Sequence, residues 1–430
     1  MIKRFILAVA LALPSLAFAQ HVVPPPAQAA AHSYRDAERR ELTADVAEYT
    51  FTVRVGNGPY DQIALHRIVK ESAPGQPIAA AKAVFLAPGD IWNFRAAFLT
   101  GERPLPLYLA ENGIDVWGID YRWTLVPGNT ADTSFMADWG LEQDASDLGY
   151  ALNVARFVRT MTGSGHGQLF LLGWSRGGQI GYAYLNAESQ LPAAQRVVEG
   201  FIPVDIYLKT DDPQLKAFAC AREQGTNAAI AAGQIANPTG SLVAALGALA
   251  LFDPNGSSIL NGPPFNLGDY TNRQAGLLVG EATFLLQGGL EVAPFYHFTG
   301  GTFGADGKPA GLLYSNEADL FSFEAAASPF QPNRELADAD AATCETTDVL
   351  FDDHLSDITV PVFYIGAGGG FGEYGIYTTT LLGSTDVTTL VINKVPSTQR
   401  LFDYGHADLF LAHDADDLVW QPMLNWITSH

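Results

Sequence analysis

Cysteine and positive charge are both scarce in this chain. Its 430 residues include two cysteines, Cys220 and Cys344, too few for a thiolate metal cluster. Lysine and arginine total 24 against 46 aspartates and glutamates, a formal net charge of −22. That is the wrong sign for neutralising a phosphate backbone by counterion release, so no nucleic-acid partner is expected. Long apolar runs are missing too: none reaches the roughly 20 residues that cross a bilayer, and stable membrane insertion is not expected. What is present is 48% hydrophobic and only 16% charged residues, enough apolar surface to build a core rather than remain disordered. At about 100 to 200 residues per domain, this length fits two or three domains, or one α/β core with a large insertion.

The first residues carry an address pattern. Lys3 and Arg4 precede the apolar run 5–13, Pro14 breaks it, and Ala17-Phe18-Ala19 offers small residues where a signal peptidase reads. Residues 1–19 are therefore read as a signal peptide cleaved before Gln20, and residues 20–35, with Pro24-Pro25-Pro26, as a flexible lead-in. No cysteine follows the cleavage point to take a lipid anchor. Export to the periplasm or the extracellular space is expected, an oxidising setting in which Cys220 and Cys344 are expected to pair.

Beyond the lead-in, short β-branched and aromatic runs alternate with longer stretches of helical period, the pattern of a sheet with helices on both faces. Eight strands are predicted, at 50–55, 62–68, 83–87, 114–119, 169–172, 198–206, 360–365 and 387–392. Between the fourth and fifth, Leu148, Ala151, Leu152 and Ala155 recur at helical spacing and Val154, Phe157, Val158 and Met161 repeat it; a helix apolar on two faces is buried. The gap between the sixth and seventh strands far exceeds an ordinary connection. Residues 208–355 are accordingly read as a separate insertion, and 36–207 with 356–430 as the α/β core. The insertion holds both cysteines and an apolar helical stretch, 242–251, whose length suits packing inside it rather than contact with lipid.

The fifth strand runs into Gly173-Trp174-Ser175-Arg176-Gly177, after which helical character resumes. This is G-x-S-x-G between a strand and a helix. The serine is held in a strained turn, and side chains on the flanking glycines would collide with the strand and helix they join. Such a turn lifts the Ser175 hydroxyl and leaves the Arg176 N–H free at the helix start to meet an oxyanion.

These residues, the strand order and a histidine loop near the end of the chain resemble the α/β-hydrolase superfamily over nearly all of the sequence except the insertion and the leader. The resemblance implies a mostly parallel eight-stranded sheet, a nucleophile after strand five, an acid after strand six or seven and a histidine after strand eight. Of nine histidines only His406, His413 and His430 lie beyond the eighth strand. His406 follows Gly405 in a loop similar to the His loop of the acid-lipase branch, which makes it the expected general base.

The acid departs from the family pattern. Where an Asp would follow strand seven, Gly366-Ala367-Gly368-Gly369-Gly370-Phe371-Gly372 intervenes, and the first carboxylate is Glu373. Two readings stand: Asp205, at the tip of strand six, and Glu373. Asp205 is favoured slightly, because a strand tip holds a histidine more rigidly than a glycine-rich loop. For the second oxyanion donor the expectation is the backbone N–H of Asp90, after Pro88-Gly89 in the loop following strand three. Asp120-Tyr121-Arg122 is read as a loop with a structural job.

Neither His354 beside Asp352 and Asp353 nor His413 with Asp414, Asp416 and Asp417 has ligand spacing on one helical face. No metal and no cofactor are expected. Superfamily members that open epoxides or remove halides need Asp at the elbow, where Ser175 stands. The sequence thus points to an exported serine hydrolase acting on a small-molecule or lipid-like carboxylic ester, with the insertion shaping the pocket. An amidase or acyltransferase using the same residues, and an inactive hydrolase fold serving as a binding module, are the alternatives.

Overall fold

The eight strands read from the sequence all form, in a computed structural model that describes residues 33–430. The leader and nearly all of the lead-in fall outside the described residues. The strands are β1 (Val46–Arg54), β2 (Gln62–Ala73), β3 (Ala83–Ala87), β4 (Asp115–Asp120), β5 (Leu169–Trp174), β6 (Val198–Val204), β7 (Val362–Ala367) and β8 (Val387–Ile392). They lie in the order β1-β2-β4-β3-β5-β6-β7-β8. Pairing is antiparallel between β1 and β2 and between β2 and β4, and parallel across the rest.

The sheet has ten strands rather than the expected eight. Glu38–Glu41 pairs with β1, and the two-residue Gln76–Pro77 pairs with β2. Glu-Arg-Arg-Glu has no apolar residue to announce a strand; it is held by the β1 ladder, with Arg39 on Glu71 and Arg40 on Glu48.

β3, β4 and β5 are buried along their whole length, as near-continuous apolar parallel strands must be when both faces are covered. Alternate residues feed opposite sides: Val84 and Leu86 join one apolar cluster, Phe85 and Ala87 the other. Helix α1 (Leu141–Met161), the one expected to be apolar on two faces, is buried through Leu148, Leu152, Val154 and Val158. Helix α2 (Arg176–Glu188) leaves directly from the tip of β5 and is almost wholly buried.

Between β6 and β7 the chain adds five longer helices: α3 (Pro213–Ala231), α4 (Thr239–Phe252), α5 (Asn272–Glu281), α6 (Glu317–Ala325) and α7 (Asn333–Cys344). The disulfide Cys220–Cys344 joins α3 to the end of α7, with the Cα atoms 4.8 Å apart, pairing the two cysteines as expected. The apolar stretch 242–251 lies within α4, and its Val243, Leu246 and Ala250 are buried. Those residues, with Leu277 and Phe321, belong to the same apolar cluster as Trp174 and Phe410. The inserted helices therefore share a core with the sheet. Among the described residues no helix is long and apolar enough to cross a membrane.

Candidate active site

The turn after β5 carries the strain that its sequence implied. Ser175 sits at φ 55° and ψ −129°, a conformation an L-residue keeps only where the surroundings enforce it. Its N–H donates to Val204 O of β6 at 2.9 Å, and its carbonyl accepts from Gly178 N at 2.8 Å. A Cβ on Gly173 would strike the Gly177 carbonyl, and one on Gly177 would strike that of Ala87. The turn closes only with glycine at both places.

Asp205 is the first residue past β6. It too has positive φ, 48°, and its N–H donates to Ile365 O at 2.6 Å. Its carboxylate is fully buried and accepts four hydrogen bonds. Oδ1 takes the amides of Ala367 and Gly372, each at 2.8 Å; Oδ2 takes the Phe371 amide at 3.0 Å and His406 Nδ1 at 2.7 Å. Three of the four donors come from the last residue of β7 and the glycine loop that follows it. A Cβ on Gly370 would collide with Asp205 Oδ2. The glycine-rich segment after β7 thus wraps the carboxylate at the tip of the neighbouring strand. Glu373, the alternative, is exposed in the short turn Gly372–Gly375, because the loop delivers its amides inward and carries that side chain outward.

His406 is completely buried. With Nδ1–H donated to Asp205, Nε2 keeps its lone pair, and this atom has no hydrogen-bond partner among the described residues. No hydrogen bond joins it to Ser175; such contacts commonly tighten only when substrate arrives. The ring stacks on Trp174, the residue before Ser175, at 4.8 Å, and touches Tyr296, Phe298 and Phe371 at 5.3, 5.5 and 5.7 Å between centroids.

The inserted segment 295–300 threads between the glycine loop and the histidine loop, a part of the site that the sequence reading missed. His297 N donates to Gly369 O at 3.0 Å, while His297 O accepts from His406 N at 2.9 Å and Phe298 O from Ala407 N at 2.7 Å. The His297 ring reaches Asp403 O at 2.9 Å. Asp408 clamps the same junction, accepting from Gly300 N and Gly405 N at 2.8 Å and from the Ser315 hydroxyl; burial pushes its carboxyl up to about 7. No periodicity or motif marks residues 295–300, because the bonds that seat them on the two loops run to partners distant in sequence.

On the other side of Ser175 lies the loop after β3. A Cβ on Gly89 would come within 2.6 Å of Ser175 Cβ, so this backbone packs directly against the serine. Asp90 turns its carboxylate toward Arg176, whose Nε lies 2.8 Å from Oδ1 and Nη2 3.3 Å from Oδ2, and takes Gln331 Nε2 at 2.5 Å. Its charge is thereby paired. The Asp90 amide makes no hydrogen bond to a described residue, and the Arg176 amide, first in α2, has no acceptor within its helix. Asp120-Tyr121-Arg122 does structural work nearby: Asp120 accepts from Phe94 N at 2.7 Å, and Arg122 grips Asp147 at 2.6 and 2.7 Å.

Ser175, Arg176 and Asp90 open into a cavity of about 510 Å³ between the sheet's C-terminal edge and the insertion. Its lining combines apolar Val243, Val279, Leu290, Val292, Phe298 and Phe371 with polar Gln179, Arg222, Gln331 and Asp340. Arg222 and Asp340 pair at 2.8 Å near the disulfide that joins their helices. Asp352 pairs with Lys209 at 2.5 Å and Asp414 with Lys394 at 2.7 Å.

No protein-family model matches the sequence, and no curated protein matches it. Among solved structures, a candidate lipase from Sulfolobus solfataricus superposes with a TM-score of 0.57 at 20% identity, covering 92% of this chain and 99% of its own. A thermophilic esterase from Thermogutta terrifontis gives 0.42 at 13% identity over 88% of this chain and 98% of its own. A soluble variant of the monoglyceride lipase from Saccharomyces cerevisiae gives 0.42 at 12% over 91% and 94%. With the strand order and the serine elbow, the first of these likenesses leads to one conclusion about architecture: the chain has the α/β-hydrolase fold.

Proposed function

We propose that this protein is an exported serine hydrolase that cleaves carboxylic esters through an acyl-enzyme. The observation that carries the reading is a positive-φ Ser175 at the tip of β5, directly after the Trp174 ring on which His406 stacks, with His406 buried, its Nδ1 bound to Asp205 and its Nε2 without a partner among the described residues.

An ester entering the cavity meets Ser175 with its carbonyl carbon. His406 Nε2 takes the hydroxyl proton as Oγ attacks, and Asp205 steadies the imidazolium that forms. The charge on the carbonyl oxygen falls to the amides of Arg176 and Asp90, two donors fixed in place before the reaction. The Asp90 carboxylate does not oppose that charge, since Arg176 and Gln331 already occupy it. His406 then protonates the departing alkoxide, and water repeats the sequence to release the acid. The apolar part of the lining suits an acyl or alcohol chain, and the inserted helices determine how much of it fits.

Labelling with a fluorophosphonate tests the reading directly. Wild-type protein should be modified at Ser175 and should turn over p-nitrophenyl esters, while Ser175→Ala should do neither. Labelling that persists in Ser175→Ala would sink it.

A further inference from the structure

We infer that Tyr296, supplied by the insertion, is a further catalytic residue that donates a hydrogen bond to the alkoxy oxygen of the leaving alcohol. This rests on the serine-hydrolase reading above. Three other buried tyrosines near the site have spent their hydroxyls elsewhere: Tyr207 donates to Val292 O at 2.7 Å, Tyr364 to Gly372 O at 2.6 Å and Tyr404 to Asp414 at 3.4 Å. The Tyr296 hydroxyl has no hydrogen-bond partner among the described residues, and the side chain lines the same cavity as Ser175. It is not among the sealed polar atoms of the interior, so its open side is the cavity.

The ring is fixed on three sides, 5.3 Å from His406, 5.2 Å from Phe371 and 5.8 Å from Phe298 between centroids. Its backbone is tied on both sides: Tyr296 O accepts from Phe284 N at 2.8 Å, and the next residue pairs with Gly369. A rigid phenol can hold a donor in place without losing much rotamer freedom on binding. Burial raises its pKa well above the usual tyrosine range, so it keeps its proton and can donate.

The choice of oxygen follows from the neighbours. The carbonyl oxygen already has the Arg176 and Asp90 amides. The alkoxy oxygen has the His406 imidazolium as its one donor and must face that ring to receive its proton, and Tyr296 packs on the same imidazole. The tetrahedral intermediate collapses by breaking its C–O bond to the alcohol; His406 transfers the proton, and Tyr296 lends a hydrogen bond without losing its own.

The test compares an ethyl ester with the p-nitrophenyl ester of the same acid in wild type and Tyr296→Phe. A p-nitrophenolate leaves unaided, whereas an alkoxide needs help. We expect kcat/KM for the ethyl ester to fall about 10- to 100-fold, the range for one hydrogen bond to a charged group, and the p-nitrophenyl ester to change less than about 3-fold. Fluorophosphonate labelling of Ser175 should be unaltered, since the aromatic packing is kept. An ethyl ester unaffected by the change, or both esters slowed equally, overturns the assignment. Absence of labelling in the wild type would instead remove the serine-hydrolase reading, and this inference with it.

Discussion

Two buried histidines in this molecule look alike at first. His66 and His406 are 2% and 0% exposed. Each binds a carboxylate through Nδ1, His66 to Glu48 at 2.8 Å and His406 to Asp205 at 2.7 Å. Each stacks on an aromatic ring, Phe94 at 4.6 Å and Trp174 at 4.8 Å. The second nitrogen separates them. His66 Nε2 meets Asp120 at 3.1 Å, so the ring is closed between two acids; burial opposes its charge, but Asp120 and Glu48 prevail and push its pKa up to about 9. His406 Nε2 is left without a partner among the described residues. Burial and an acid partner do not make a base: one nitrogen must stay unclaimed and border the place where a proton is released.

The largest effects should fall on His406 and Asp205. Asp205→Asn keeps the shape of the carboxylate but reverses the donor sense toward His406, and should lower kcat for ester hydrolysis about 10⁴-fold. Glu373→Gln alters an exposed group outside the cradle and should change kcat less than about 2-fold. Two mild results would mean that the acid lies elsewhere. His406→Gln should match the loss at Asp205, whereas His66→Gln should leave turnover per folded molecule within about 2-fold and reduce stability instead. Should His66→Gln lose activity as His406→Gln does while remaining folded, the contrast between the two rings would be broken.

These expectations differ in how far the sequence alone supported them. The elbow was legible because G-x-S-x-G between a strand and a helix encodes its own geometry locally: the glycines meet atoms a few residues away or on the adjoining strand. His406 is singled out in the sequence by its order after β8, and its ring meets Asp205 in the fold. The acid was not resolved, because the glycines at 366–372 gain their meaning from Asp205 on a different strand, a tertiary contact with no spacing rule. The same holds for segment 295–300, whose hydrogen bonds run to positions 369, 403, 406 and 408. The strand at Glu38–Glu41 escaped notice for the opposite reason: an edge strand of charged residues is held by backbone pairing rather than by an apolar pattern. The insertion was visible as a break in the alternation of strands and helices, but its sharing of one apolar cluster with the sheet was not, since Leu277 and Trp174 carry no sign of each other in the sequence.

The smallest expected effect sharpens the contrast from the structural side. The folded-state pKa of His66, about 9, lies above the roughly 6.5 of an unperturbed histidine. Folding therefore favours its protonated form, and the stability this contributes is fully present below about pH 6.5 and is lost as the pH rises through about 9. Thermal unfolding of the wild type should show Tm falling by a few degrees across that window. In His66→Gln the starting Tm should be lower, because Asp120 and Glu48 lose a cation; Glu48 retains Arg40 and Arg95 at 2.8 and 2.9 Å, so the fold should survive. The slope between pH 6.5 and 9 should flatten, since glutamine has no proton to give up. A variant whose Tm declines as steeply as the wild type's would show that His66 is not the charged member of its acid pair, and the two rings would then differ in position alone.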